Sequence, residues 1–430
     1  MAEPLVLSAS EAQALAFRAS FGDAASTNSA GSIGQAPVPG QSDTSGLSAA
    51  ISSAAAALER LGYVQIDTIS VVERAHHHVL WSRDWNYRPS VLPALEAEPR
   101  RAFEYWAHAA AYLPMSDYRY CLPRMKRIAA DGHDWFASDR RMEEWVLDRI
   151  RAEGPLRSQD FESNGARGPW WDWKPAKAAL EYLFQSGELM VVARPGFQKL
   201  YDLAEKVLPP GTDTSFPTEA EMGDWYVRRT ALALGVFTLR DLAYQRKDGI
   251  AGIAGALDRA CEVGSLHSCV VQATAGDKRT AVATTARTAG GGGTAVKSWC
   301  ASGLLSLYAG SRQVVAGDDD ARPVRILSPF DNLIIDRKRA SRIFGLEYTI
   351  ECYVPAAKRR FGYFALPVFY RGTPVGLIDC KADRKNGLLL VKRAGFDWGL
   401  EPAGGPDGFA EAFASELGSF ADFNSCSVSH

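Results

Sequence analysis

Two stretches of the chain run through the same succession of signals, and this repetition constrains the fold more than any other feature. Residues 140–202 begin with a periodic helical run (RRMEEWVLDRIRAE), followed by GPLRSQDF with Ser158 as a candidate N-cap. KPAKAALEYLFQSGEL then reads as a helix started near Pro175 and stopped at Gly187. LMVVARPGFQKLYDL supplies two short apolar strands about an Arg194-Pro195-Gly196 turn. Three helices and a two-stranded wing make the winged-helix order. Residues 222–272 repeat it with MGDWYVRRTALAL, GVFTLRDL, IAGIAGALDRACEVGSL and HSCVVQ. The glycine stops agree: Gly154 to Gly187 is 33 residues and Gly235 to Gly264 is 29. Tandem winged-helix units are expected. Such units also serve as protein-interaction modules or scaffolding, and neither third helix is strongly basic, which argues against sequence-specific reading of a major groove.

From residue 324 onward the pattern becomes β-rich. VRILSPFDNLII, YTIECYVP, FGYFALPVFY, GTPVGLIDCKAD and NGLLLVKR predict five short strands of a small antiparallel sheet or barrel. The expected class is α+β, with tandem winged helices and a β-rich C-terminal scaffold. Residues 22–48 and 275–295 are rich in small and polar residues and read as inserted mobile loops. The predicted segments are 1–138 (N-terminal helical/winged-helix region), 139–215 and 216–320 (winged-helix units), 321–400 (basic scaffold) and 401–430 (acidic tail).

Charge is distributed unevenly along the chain. The net charge of −2 excludes a globally basic nucleic-acid binder, yet residues 322–393 hold 15 Lys/Arg against 6 Asp/Glu. Residues 394–430 hold 6 acids and no Lys or Arg. A basic face suits a phosphate-bearing partner, although a solvated face beside a disordered acidic end gives the same counts. Within the basic stretch, Arg337-Lys338-Arg339 and Lys358-Arg359-Arg360 are the candidate phosphate contacts. The seven cysteines form no C-x-x-C pair or zinc spacing, and their odd number without a signal peptide points to a reducing interior. No run of 18 uncharged apolar residues occurs, so no membrane span is expected.

Four groupings could carry chemistry. In Gly62-Tyr63-Val64-Gln65-Ile66-Asp67-Thr68, an extended backbone would set Tyr63, Gln65 and Asp67 on one face, opposite Val64 and Ile66. A carboxylate and an amide placed so could hold one water between them, although on spacing alone a cap or turn role is the default for Asp67. Consecutive His76, His77 and His78 diverge too far on a helix or strand to form one metal site. FEYWAHAA reads as helical, with His108 either a catalytic helper or a packed histidine. Trp170 and Trp171, interleaved with Arg167 and Lys174, could stack on bases or cap the neighbouring helix.

These blocks carry a resemblance. LGYVQIDTISVVERAHHHVLWSRDWNYRP resembles the signature of the YcaQ/AlkX branch of the AlkZ-like winged-helix DNA glycosylases. FEYWAHAAAYLP, WDWKPAKAALEYLFQSGEL, GFQKLYDLAEKVLP, LSPFDNLIIDRKR and VPAAKRRFGYFALPV are similar to the same family, in the same order. The resemblance implies a C-shaped molecule around a DNA channel. It also implies a monofunctional hydrolase that removes N7-alkylated purines and unhooks interstrand crosslinks, with Gln65 and Asp67 as its Q-x-D motif. The implied partner is damaged double-stranded DNA, bound by a cytoplasmic, nucleoid-associated monomer (nuclear in a eukaryote) that needs no cofactor or membrane. A non-catalytic winged-helix regulator is the alternative, and it leaves Gln65 and Asp67 unused.

Overall fold

Both repeats fold as winged helices in the computed structural model, which describes residues 3–22, 44–97, 99–131, 139–161, 175–244, 252–272, 296–309, 322–399 and 401–428. Contacts group the chain into two units, one of Met1–Arg88 with Gly223–His430 and one of Pro89–Met222. The predicted 1–138 segment is therefore divided at residue 88. Its first part packs with the second winged helix and the C-terminal sheet, and its remainder packs with the first winged helix.

In the Pro89–Met222 unit, helix Arg140–Glu153 starts where the Asp139 carboxylate accepts the Arg141 and Met142 N–H groups, and it stops at Gly154. Strand Leu156–Arg157, the 3-10 turn Ser158–Phe161 and helix Pro175–Ser186 follow. Gly187 (φ 88°) then turns the chain into the wing, Leu189–Ala193 and Leu200–Leu203. Leu200–Leu203 pairs antiparallel with both other strands, closing a three-stranded sheet. The FEYWAHAA segment is not helical. Ala102–Trp106 and Ala110–Pro114 pair antiparallel as a hairpin, with His108 in its turn. Phe103, Glu104 and Tyr105 are all buried, so both strand faces are covered and the two-residue alternation that marks a strand is lost. The Arg194 guanidinium, from the wing, meets the buried Glu104 carboxylate with two 2.6 Å bonds.

The larger unit resumes at Gly223, within helix Glu219–Leu234, which leads through Gly235 (φ 66°) to strand Val236–Phe237. Thr238 and Asp241 form a capping box for the short helix Leu239–Leu242, and helix Ile253–Glu262 follows. Strands Leu266–Gln272 and Val296–Ala301 pair antiparallel as the wing. The expected second insert, 275–295, lies outside the described residues, between these two strands. Leu5–Ser8 adds a parallel fourth strand, and its Ser8 caps helix Ala9–Phe21 in a second capping box. The first insert lies mostly outside the described residues too, but its last five positions belong to helix Thr44–Leu61.

The C-terminal sheet runs in the order Val324–Ile326, Ala365–Tyr370, Thr373–Asp383, Leu388–Phe396, Ser427–Val428, antiparallel except for the last pair. YTIECYVP, expected as a strand, is irregular. The acidic tail is a further correction. Residues 409–423 form a helix, Phe409–Phe423, that buries Phe409, Phe413, Phe420 and Phe423. Its Glu416, 2% exposed, accepts two bonds from the 5% exposed Arg322 at 2.8 and 2.7 Å. Phenylalanines recurring every three, four or seven residues define one helical face, and the acids occupy mostly the others.

Candidate active site

Helix Thr44–Leu61 delivers the Q-x-D segment. Gly62 adopts φ 75° and donates its N–H to the Leu58 carbonyl, so the helix ends sharply and the chain leaves extended. The same helix is tied to the second winged helix through Glu59, whose carboxylate accepts Arg229 Nη2 at 2.9 Å. Beyond Gly62, Val64 is 0% exposed and Ile66 9%, whereas Tyr63, Gln65 and Asp67 are half-buried. This is the alternation that the sequence predicts. It brings the Gln65 amide and the Asp67 carboxylate to one side of the strand.

Asp67 plays the turn role as well. Its Oδ1 accepts the Ile69 N–H at 2.7 Å, an Asx turn that orients the carboxylate. Among the described residues Oδ2 has no hydrogen-bond partner. Burial raises the Asp67 pKa above its ordinary 3.8, and the Ile69 N–H pulls it the other way. The site thus holds a carboxylate with one oxygen fixed and the other available, kept more basic than an exposed aspartate.

Neighbouring chain holds this strand in place. Asn332 Nδ2 donates to the Tyr63 carbonyl at 3.0 Å, and the segment after Asp67 is tied to the C-terminal sheet and to the end of helix Phe409–Phe423. There the Ala382 N–H donates to the Val71 carbonyl at 2.9 Å, Arg384 Nη1 to the Ser70 carbonyl at 3.1 Å, and the Glu73 N–H to Asn424 Oδ1 at 2.6 Å. Asn332 itself sits in a loop pinned by the buried Asp331, which pairs with Arg83 and accepts the Leu333 N–H. Nothing in LSPFDNLII marks Asn332. Its partner is 269 residues away, and no local pattern reports such a contact.

His77 and His78 are held by neighbouring side chains and backbone. His78, 0% exposed, uses Nε2 on the Ile326 carbonyl at 2.9 Å and lies against the Phe420 ring. His77 Nδ1 meets the Tyr87 hydroxyl at 2.7 Å. Burial lowers both pKa values to about 4. Among the described residues no cluster of three or more His, Cys, Asp or Glu could hold a metal ion. His108 belongs to the other unit, in its hairpin turn, and is half-buried. Trp170 and Trp171 lie outside the described residues.

The two basic clusters differ. In Arg337-Lys338-Arg339, Arg339 is 2% exposed and donates to the carbonyls of Leu333, Leu234 and Val236. Burial brings its pKa down to about 10. Arg337 donates to the Pro329 and Ile334 carbonyls and covers the Tyr348 ring, so only Lys338 of this triplet is exposed. Arg339 therefore cannot reach a DNA phosphate, which corrects the expectation. Buried guanidinium groups stapling carbonyls across elements account for the composition equally well. In the second cluster Lys358 and Arg360 are exposed, while Arg359 spends Nε on the Val354 carbonyl at 2.8 Å.

Two comparisons bear on this arrangement. A family model described as DNA glycosylase AlkZ-like matches residues 58–423. The fold is similar to that of the Streptomyces sahachiroi DNA glycosylase AlkZ, with a TM-score of 0.54 at 14% identity, covering 99% of this chain and 100% of that one.

Proposed function

The chain belongs to the AlkZ-like DNA glycosylase family, and from that premise we propose that it is a monofunctional enzyme of the Q-x-D type, releasing N7-alkylated purines from duplex DNA and unhooking interstrand crosslinks. The observation that carries this reading is the half-buried Asp67 carboxylate, with Oδ1 held by Ile69 and Oδ2 available, on the same side of the strand as Gln65. An N7-alkylguanine already carries positive charge, so it departs with the C1′–N9 electron pair without needing a general acid. Two carboxylates of the sugar-glycosidase kind are unnecessary. Asp67 stabilises the cationic sugar and takes the proton of the water that attacks C1′. Gln65 orients that water. No lysine lies in residues 62–68 to form a Schiff base, in keeping with hydrolysis alone. A crosslinked base cannot flip out without dragging its partner, so chemistry served by one carboxylate just past the short strand Val64–Gln65 suits such a lesion.

The test is single-turnover release of N7-methylguanine from a defined duplex, with strand cleavage scored separately. Free base without cleavage is expected; absence of release would refute the glycosylase reading for this lesion. The acid limb of the pH–rate profile gives a further prediction. Asp67 must be ionised to act, and its pKa lies above 3.8. After subtraction of enzyme-free depurination, activity should fall with acidity at a higher pH than an exposed aspartate would give. A limb at or below 3.8 would assign the proton acceptor elsewhere.

Phosphate contacts are assigned to Lys338, Lys358 and Arg360. Replacing Lys358 and Arg360 by alanine should weaken binding uniformly across sequences. It should also reduce the slope of log K against log salt by about 0.9 per lost phosphate contact. An unchanged slope would turn this cluster away from DNA.

A further inference from the structure

Tyr353 is 84% exposed, more than any other large hydrophobic side chain among the described residues. A single exposed ring is ordinary on a protein surface, but this one stands on a loop built to hold it. Glu351, 8% exposed, closes the base of residues 351–362, its carboxylate accepting the N–H groups of Arg360 (2.8 Å), Phe361 (2.8 Å) and Gly362 (3.2 Å). Within the loop, the Val354 N–H returns to the Glu351 carbonyl at 2.9 Å and the Lys358 N–H to the Pro355 carbonyl at 2.8 Å. Arg359 bridges back to the Val354 carbonyl and lies over the Tyr363 ring. Gly362 at φ 138° has no room for a side chain, since a Cβ would stand 2.1 Å from Asp379 Oδ2. The loop is therefore fixed by its own hydrogen bonds while its aromatic side chain remains in solvent.

The end of the loop and the stretch after Asp67 meet the same strand, Thr373–Asp383: the Tyr363 N–H donates to Asp379 Oδ2 at 3.3 Å, and the Ala382 N–H to the Val71 carbonyl at 2.9 Å. Cys352 first, then burial, and then the Asp67 charge raise the Tyr353 hydroxyl pKa, and burial followed by Asp67 raises that of the Cys352 thiol. Lys358 and Arg360 are exposed on the same loop and give it positive charge. An exposed aromatic side chain next to cations is the combination that contacts nucleic acid by stacking while the phosphates are held.

We propose that Tyr353 is the aromatic DNA contact at the lesion, its ring stacking on the base or sugar face exposed where the duplex is disturbed, while Lys358 and Arg360 hold adjacent phosphates. This rests on the reading of Asp67 as the catalytic carboxylate. The ring lies on the surface, so its removal leaves the core intact. Binding is compared for two duplexes, one undamaged and one carrying a tetrahydrofuran abasic-site analogue, alongside single-turnover release of N7-methylguanine. The wild-type protein should prefer the abasic duplex. Tyr353→Ala should lose about 10- to 100-fold in affinity for it with little change on undamaged DNA, and base release should fall in parallel. Tyr353→Phe should keep both, because the stacking face is retained. Lys358→Ala with Arg360→Ala should instead weaken both duplexes alike. A Tyr353→Ala protein that keeps the wild-type preference and rate overturns the proposal, as does a wild-type protein with no preference. Failure of the wild-type protein to release N7-methylguanine is separate: it overturns the functional reading, while the binding ratios still report on Tyr353.

Discussion

Asp67→Asn is expected to cut base release about 10²- to 10³-fold, the usual loss for one preorganised electrostatic group, without lowering the melting temperature at pH 7. The amide keeps the oxygen that accepts the Ile69 N–H, so the Asx turn survives. It loses the charge that stabilises the cationic sugar and the site that receives the proton of water. The stability side follows from linkage. Burial raises the Asp67 pKa above 3.8 in the folded state. A group raised in this way contributes stability that is fully present below the unfolded pKa and is lost as pH rises through the folded one. At neutral pH the ionised carboxylate is therefore a cost to folding, which asparagine removes. Melting curves at pH 7 and single-turnover release together check the prediction. Wild-type release by the variant would remove Asp67 from the chemistry, and a clearly lowered melting temperature would make its role structural.

The winged helices were legible in the sequence because their signals are local. Asp139, the Thr238–Asp241 box, Gly154, Gly187 and Gly235 each act on residues a few positions away. The alternation through Tyr63, Gln65 and Asp67 was legible for the same reason. What composition could not convey was where each charge would lie. Arg339 and Arg322 were counted in a basic face, yet both are buried, one on carbonyls and one on a carboxylate 94 residues away. The acid-only composition of residues 394–430 concealed a helix whose phenylalanines finish the core. FEYWAHAA failed for a different reason. A short aromatic run covered on both faces shows no two-residue period, so neither a helix nor a strand could be distinguished from it.

The same long-range pairing sets the largest stability effect expected here. Glu416 accepts Arg322 Nε and Nη2, the Ile326 N–H at 3.3 Å and Trp85 Nε1 at 3.4 Å, so its carboxylate links the C-terminal helix to the first strand of the sheet. Arg322 lies over the Trp81 ring at 4.1 Å and donates to the Trp81 carbonyl at 2.9 Å, which confines its charge to the interior. Glu416→Ala removes the carboxylate that takes two bonds from that buried guanidinium, and removing one partner of a buried pair costs about 3–5 kcal/mol. The penalty belongs to the desolvated charge that stays behind more than to the lost bonds. An Arg322→Met, Glu416→Leu double variant, apolar and similar in volume, should therefore recover most of the loss, because neither desolvated charge remains. Denaturant unfolding of the parent, the single variant and the double variant measures this directly. A single variant within about 1 kcal/mol of the parent would mean that Arg322 finds water or another acceptor once Glu416 is gone. A double variant as unstable as the single would mean that the four polar contacts, and not the balance of desolvated charges, hold the helix on the sheet.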